Sequence, residues 1–226
     1  MISHDDHLWL QMWRNKQTDD FHQILVNKHL VRFWPALNIP HGKKIFVPLC
    51  GKSLDILWLA EQGYKVIGVE LSPIAVKAFF KENHLQPVKR KLADFSLWTH
   101  GNISILCGNY FALNKSILGQ IDTVYDRAAL TALPKDIRSL YVSHLHTIVS
   151  ETTNIFLLTI EDTADNRHLN FSEQVDAELI SLYASDFEIE LKHVESVVED
   201  QVSTSPPATQ HVTYKVYHLS ARTASA

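Results

Sequence analysis

Residues 45–70 read IFVPLCGKSLDILWLAEQGYKVIGVE, and this stretch decides the fold. Ile45, Phe46, Val47, Pro48 and Leu49 form a short apolar run, as a parallel strand buried on both faces requires. Cys50, Gly51, Lys52 and Ser53 predict a turn. Leu54, Ile56, Leu57 and Leu59 place apolar side chains at helical spacing, and Gly63 closes that helix as a C-cap. Tyr64 to Val69 predicts a second strand with Glu70 at its carboxyl end. Strand, glycine turn, helix and strand make one half of a doubly wound sheet, whose ligands bind beyond the carboxyl ends of the strands.

Gly51 allows the backbone a close approach to a ligand. Glu70 follows it by 19 residues, near the spacing at which an acid accepts hydrogen bonds from ribose hydroxyls. A dinucleotide asks for G-x-G-x-x-G to seat its pyrophosphate, and only one glycine is present. A Walker loop asks for G-x-x-x-x-G-K-[ST], but Phe46 stands where its first glycine belongs, so the GKS match is read as coincidence. S-adenosylmethionine carries a ribose and an adenine without phosphate. On spacing alone the stretch fits that cofactor and a generic Rossmann turn about equally.

The chain has 226 residues, 46% of them hydrophobic and 20% charged, which predicts one folded domain over 1–226. A net charge of −4 argues against a nucleic-acid partner. No apolar run has the length of a membrane span, and no basic region precedes an apolar stretch at the N-terminus. The 2 cysteines, Cys50 and Cys107, fit a reduced cytoplasmic protein. The 13 histidines show no metal-ligand spacing, so no metal is expected.

Before the sheet, Leu8, Trp9, Met12 and Trp13 fall at helical spacing. Phe21, His22, Leu25, Leu30, Phe33 and Trp34 extend an amphipathic pattern to Pro35. Most of these side chains need only pack on the sheet, but residues 1–40 also suit an aromatic lid that excludes water, with Trp13, Phe21 and His22 as its candidates. Ser72-Pro73 predicts an N-cap and first helical position. Lys89 to His100 is mixed and polar, read as a loop with a short strand or helix. Ile103 to Leu106 predicts the third strand. Just past it, Asn109 can hydrogen-bond a base and Tyr110 or Phe111 can stack on one, although aromatics here also plug cores. The fourth strand, Ile121 to Asp126, ends at Asp126-Arg127. That pair is either a brace for the loop or the place where Arg127 grips an anionic substrate or a cofactor carboxylate. Pro134 starts a helix with Ile137, Leu140, Tyr141, His144 and Leu145 on one side. Asn154 to Ile160 is the fifth strand, and Val175 to Tyr183 a short helix. Phe187–Val198 and Val212–Leu219 alternate as antiparallel strands do, around a polar loop from Glu199 to Gln210. The sum is an α/β, doubly wound Rossmann-like sheet of seven strands, with an N-terminal helical lid and a C-terminal antiparallel hairpin.

VPLCGKSLD (47–55), GVELS (68–72), LCGNYF (106–111) and YDRAALTALP (125–134) resemble the bacterial branch of the thiopurine S-methyltransferase family. VNKHLVRFWP (26–35) and the Trp13…Phe21-His22 element are similar to that family's N-terminus. The resemblance implies a class I methyltransferase fold with S-adenosylmethionine as methyl donor. It carries the family's cofactor contacts onto Trp13, Leu49, Glu70 and Arg127, and its acceptor-side segment onto Phe21 and His22. Gly51, Asn109 and Tyr110 complete the expected cofactor site. Asp126 and Arg127 are the expected catalytic pair, with Asp126 orienting Arg127. Two departures stand out. Asn109 replaces an acid in the family's GDFF segment, and NRHLNFSEQV (166–175) replaces its GPPF-type loop, leaving Phe171 as the nearest acceptor-side residue.

Methyl transfer from a sulfonium is an in-line displacement from an already activated donor. The protein must align the reactants and exclude water, and a low-pKa thiol arrives as an anion needing little base. The expectation is therefore a small-molecule acceptor (a thiopurine or other thiol, or a selenium or tellurium species), no dedicated nucleophile and a monomer. The competing expectations are a non-catalytic S-adenosylmethionine-binding protein with a diverged acceptor pocket and, less well supported by the glycine count, a nucleotide-dependent oxidoreductase.

Overall fold

The computed structural model describes residues 4–17, 22–162, 171–201 and 208–222. The chain packs as two compact units, Met1–Ile121 and Asp122–Ala226.

The first unit opens with α1 (His4–Arg14). Asn27 then caps α2 (Lys28–Phe33), its side-chain oxygen accepting from the His29 and Leu30 amides. The amphipathic run is helical only from Lys28. Pro35 does not stop it but enters a 3-10 turn, Trp34–Leu37, at a first-turn position where its missing N–H costs nothing. The chain continues through β1 (Lys44–Val47), α3 (Asp55–Glu61), β2 (Lys65–Glu70) and α4 (Pro73–Glu82). Gly63 sits just past α3 with φ +84°, as a glycine terminator should. Ser72 caps α4 by accepting from the Ala75 amide. There follow β3 (Val88–Leu92), β4 (Phe95–His100), β5 (Ile103–Cys107), a 3-10 turn at Tyr110–Ala112 and α5 (Lys115–Leu118).

The strand order here is β3-β4-β5-β2-β1. β1 with β2 and β2 with β5 are parallel, whereas β3–β4 and β4–β5 are antiparallel. The segment from Lys89 to His100, expected to be a loop with a short strand or helix, is thus the greater part of a hairpin, and it raises the strands of the described residues from the expected seven to nine. The polar reading failed because β3 is an edge strand without a buried face, where Lys89, Arg90 and Lys91 discourage further pairing. Its partner β4 buries Phe95, Leu97 and Trp98. Lys89 lies over the Trp98 ring, 3.7 Å from its centroid.

The second unit runs β6 (Thr123–Arg127), α6 (Ala129–Ala132), α7 (Lys135–Ile148), β7 (Asn154–Asp162), α8 (Phe171–Tyr183), β8 (Phe187–Gln201) and β9 (Ala208–Ala221). Its strand order is β6-β7-β9-β8, with β6–β7 parallel and the other two pairings antiparallel. The terminal hairpin is present and longer than the alternation predicted, with an irregularity between Leu191 and His193. α8 also begins earlier than expected, at Phe171. Val124, Tyr125, Tyr141, Leu145, Leu157, Val216 and Leu219 form the buried centre of this unit. Among the described residues no helix is long and apolar enough to cross a membrane.

Candidate active site

In the first unit β1 ends at Val47, and the chain turns through Leu49 (φ +47°) and Gly51 (φ +54°). Left-handed backbone is costly for leucine and free for glycine. Hydrogen bonds from the end of β2 hold the turn. The Cys50 amide donates to the Val69 carbonyl at 2.9 Å, and the Gly51 amide to Glu70 Oε2 at 2.9 Å. The other carboxylate oxygen, Glu70 Oε1, accepts the Ser72 amide at 2.6 Å. The Glu70 carbonyl accepts from Gly108, which opens the turn after β5. Glu70 therefore ties together the turns that follow three neighbouring parallel strands.

Glu70 is buried, and burial pushes its carboxyl up to about 7, while the Ser72, Gly51 and Leu71 amides pull the other way. Trp13 from α1 lies over the turn, its Cζ2 3.5 Å from where a side chain on Gly51 would begin. The structure thus brings Trp13, Leu49, Gly51 and Glu70 close together. Lys52 pairs with Glu82 on α4 at 2.8 Å.

These groups suit an adenosyl ligand. A carboxylate offers about four lone-pair positions and the Gly51, Ser72 and Leu71 amides draw on three, so an acceptor remains for a ribose hydroxyl. At the end of β5, Asn109 spends its side-chain oxygen on the Phe111 amide at 2.8 Å, which leaves its NH₂ to donate to a base nitrogen. Tyr110 is buried and meets Phe111 edge-on at 5.2 Å, whereas Phe111 is exposed. The core role considered for one of these aromatics falls to Tyr110, and Phe111 presents the open ring.

In the second unit Asp126 and Arg127 end β6, and the chain passes through left-handed Ala128 (φ +59°) into α6. Asp126 does not reach back to Arg127. Its fully buried carboxylate takes the Ala129 amide at 3.1 Å and the Tyr141 hydroxyl at 2.7 Å. Burial raises this carboxyl to about 6, against the pull of those same donors. Among the described residues no ion pair joins Asp126 to Arg127, so the expected direct orientation of one by the other is not seen. His22 is half-buried. Phe21 lies outside the described residues, and Phe171 opens α8 with its side chain outside them.

Sequence reasoning passed over Asp55 and Tyr141. Asp55 is buried and accepts the Asn27 amide at 2.8 Å, anchoring the N-terminal segment to α3. Its signal was its place at the end of PLCGKSLD. Tyr141 gave none beyond its position on the apolar face of α7.

The family model for thiopurine S-methyltransferase (TPMT) matches residues 4–222. The chain belongs to this family. A thiopurine S-methyltransferase of Stutzerimonas stutzeri is 54% identical over 222 residues, covering 98% of this chain and 93% of the relative. That of Methylococcus capsulatus is 38% identical over 219 residues, covering 96% and 98%. Similar folds occur in a SAM-dependent methyltransferase from Anabaena variabilis (TM-score 0.63, 16% identity, covering 97% of this chain and 96% of that one). They occur also in magnesium protoporphyrin IX methyltransferase from Synechocystis with bound SAM (TM-score 0.59, 15% identity, covering 95% and 97%). The expected class I methyltransferase fold is borne out, and the chain is an S-adenosylmethionine-dependent methyltransferase.

Proposed function

We propose that this member of the family methylates small, soft, anionic acceptors: thiopurines or other thiols, or selenium or tellurium species. S-adenosylmethionine supplies a methyl group already activated on a sulfonium. Glu70 holds the ribose hydroxyls, and Gly51 and Leu49 give the backbone room beside them. Asn109 donates to the adenine, with Tyr110 packed behind it. Trp13 covers the cofactor turn and excludes water. The family resemblance assigns Phe21, His22 and Phe171 to acceptor binding. Arg127 attracts the anionic acceptor through its planar fork.

The Glu70–Gly51 hydrogen bond beneath Trp13 carries the cofactor half of this reading. Family membership supports the acceptor class. No protein nucleophile is needed, because a soft anion attacks an activated methyl directly once it is aligned and desolvated. The same reading makes the protein a single-domain monomer of the cytoplasm, where Cys50 and Cys107 remain free thiols.

The test is a methyl-transfer assay over aromatic thiols, thiopurines, selenols and tellurite, paired with calorimetry of S-adenosylmethionine binding. Turnover of at least one soft anion is expected, well above that of oxygen or amine acceptors of the same shape. Preference for an amine or hydroxyl acceptor would overturn the proposal.

A further inference from the structure

Tyr141 is fully buried on α7, and its hydroxyl donates to Asp126 Oδ2 at 2.7 Å. The other oxygen of Asp126 accepts the Ala129 amide, so the side chain bridges across Arg127 and Ala128 to the start of α6. Within that span Ala128 is left-handed, a conformation unfavourable for a non-glycine residue. The Ala128 amide donates to the Leu158 carbonyl of β7 at 2.8 Å, fixing the turn from a second direction.

Stability alone does not account for this arrangement. A neutral serine or asparagine caps a helix as well as aspartate does, and α6 has only 4 residues to cap. A buried carboxylate is expensive to desolvate. What it provides here is a charge-assisted clamp, shorter and stronger than a neutral bond, around the residue that leads into the turn.

We propose that Tyr141 is a positioning residue for methyl transfer: through Asp126 it fixes the Arg127–Ala128 turn and so sets the direction in which the Arg127 guanidinium leaves the strand. This rests on the reading of Arg127 as the acceptor-binding cation. Misplacing such a group by about 1 Å can cost on the order of a hundredfold in rate.

The test is a double-mutant cycle of Tyr141→Phe and Arg127→Ala, read as acceptor KM, kcat and S-adenosylmethionine Kd with a thiopurine as probe. Tyr141→Phe should raise the acceptor KM about tenfold, the scale of one charge-assisted hydrogen bond. It should shift Kd for S-adenosylmethionine less than about twofold, and add nothing further in the Arg127→Ala background. A merely structural tyrosine would lower the melting temperature and the active fraction, scaling kcat and leaving KM in place. An unchanged KM, or effects that add independently, would overturn the inference. If Arg127→Ala itself leaves the acceptor KM unchanged, the reading of Arg127 fails, and the inference with it. Asp126→Ser guards against a misfolded Tyr141→Phe. It keeps an acceptor for the Ala129 amide but cannot reach Tyr141, and the same KM rise is expected.

Discussion

Glu70 Oε2 accepts the Gly51 amide at 2.9 Å, so the acid and the glycine that mark the cofactor motif are bonded to each other. The carboxylate shapes the left-handed turn through backbone N–H groups, and the proposed function gives what remains of its acceptor capacity to the ribose. Any change at Glu70 therefore reaches the turn as well as the ribose.

Cofactor affinity should depend on pH through this group. Burial holds the Glu70 carboxyl at about 7 before ligand binds. Ribose hydroxyls donate to the ionised form, so binding favours deprotonation and releases a proton wherever Glu70 starts protonated. Affinity for S-adenosylmethionine should rise from pH 5 to about pH 7 and level off above it. Calorimetry at pH 6 in buffers of different ionisation enthalpy should show proton release. Proton uptake at that pH would contradict the assignment, and Glu70→Gln should be weak and flat across the range.

Gly68 is fixed by a thiol rather than by backbone conformation. A Cβ on Gly68 would stand 2.7 Å from Cys50 Sγ, and Cys50 is itself buried under the turn. Gly68→Ala should cost ~1–3 kcal/mol, as overpacking does, and should displace the turn that carries Gly51. Cys50→Ala removes the obstructing sulfur, so the double variant should recover part of both stability and cofactor affinity. Urea denaturation of the two single variants and the double variant would show this. Strictly additive losses would place the strain elsewhere.

The legible parts of the molecule were those in which a single residue type has one physical use. Gly51 and Gly63 announce left-handed turns, Ser72-Pro73 announces a helix start, and continuous apolar runs announce the parallel strands. The β3–β4 hairpin was not legible because an edge strand with both faces wet has no apolar period to read. Tyr141 escaped for the opposite reason. A buried tyrosine on a helix face looks like packing until its hydroxyl is seen on Asp126. Pairing across long sequence separations, as between Asn27 and Asp55, leaves no local trace at all.

Asp126 should make the ligand-free protein's stability fall with pH. Its carboxyl is pushed from 3.8 to about 6, chiefly by burial, with Tyr141 from α7 and the Ala129 and Leu130 amides opposing. The Tyr183 hydroxyl of α8 also feels its charge. Between those two values the folded chain binds more protons than the unfolded one, so stability is lost as pH rises through the window. Asp126→Asn carries no such proton. Its melting temperature relative to the native protein should therefore climb from pH 4 to about pH 6 and then stay level. A difference that declines over that range would mean that the hydrogen bonds outweigh burial.

Arg138 should be among the most sensitive positions of the second unit. It is buried, and its guanidinium donates from Nε to the Leu133 carbonyl at 3.0 Å, from Nη2 to the Thr131 carbonyl at 3.2 Å and from Nη1 to Glu178 Oε2 at 2.9 Å. One side chain thus satisfies two carbonyls at the end of α6 and joins them to α8. Arg138→Ala strands Glu178 with little solvent around it, since its side chain is only 16% exposed. Removing one partner of such a pair costs ~3–5 kcal/mol. Removing both should cost less than removing arginine alone, because no uncompensated charge remains. Arg138→Lys should fall between native and alanine, for an ammonium cannot reproduce the planar fork that reaches all three oxygens. Chemical denaturation of Arg138→Ala, Arg138→Lys and the Arg138→Ala/Glu178→Ala pair decides the matter. If the double variant is the least stable of the three, the two residues act independently and the bridge between α6 and α8 is not an energetic unit.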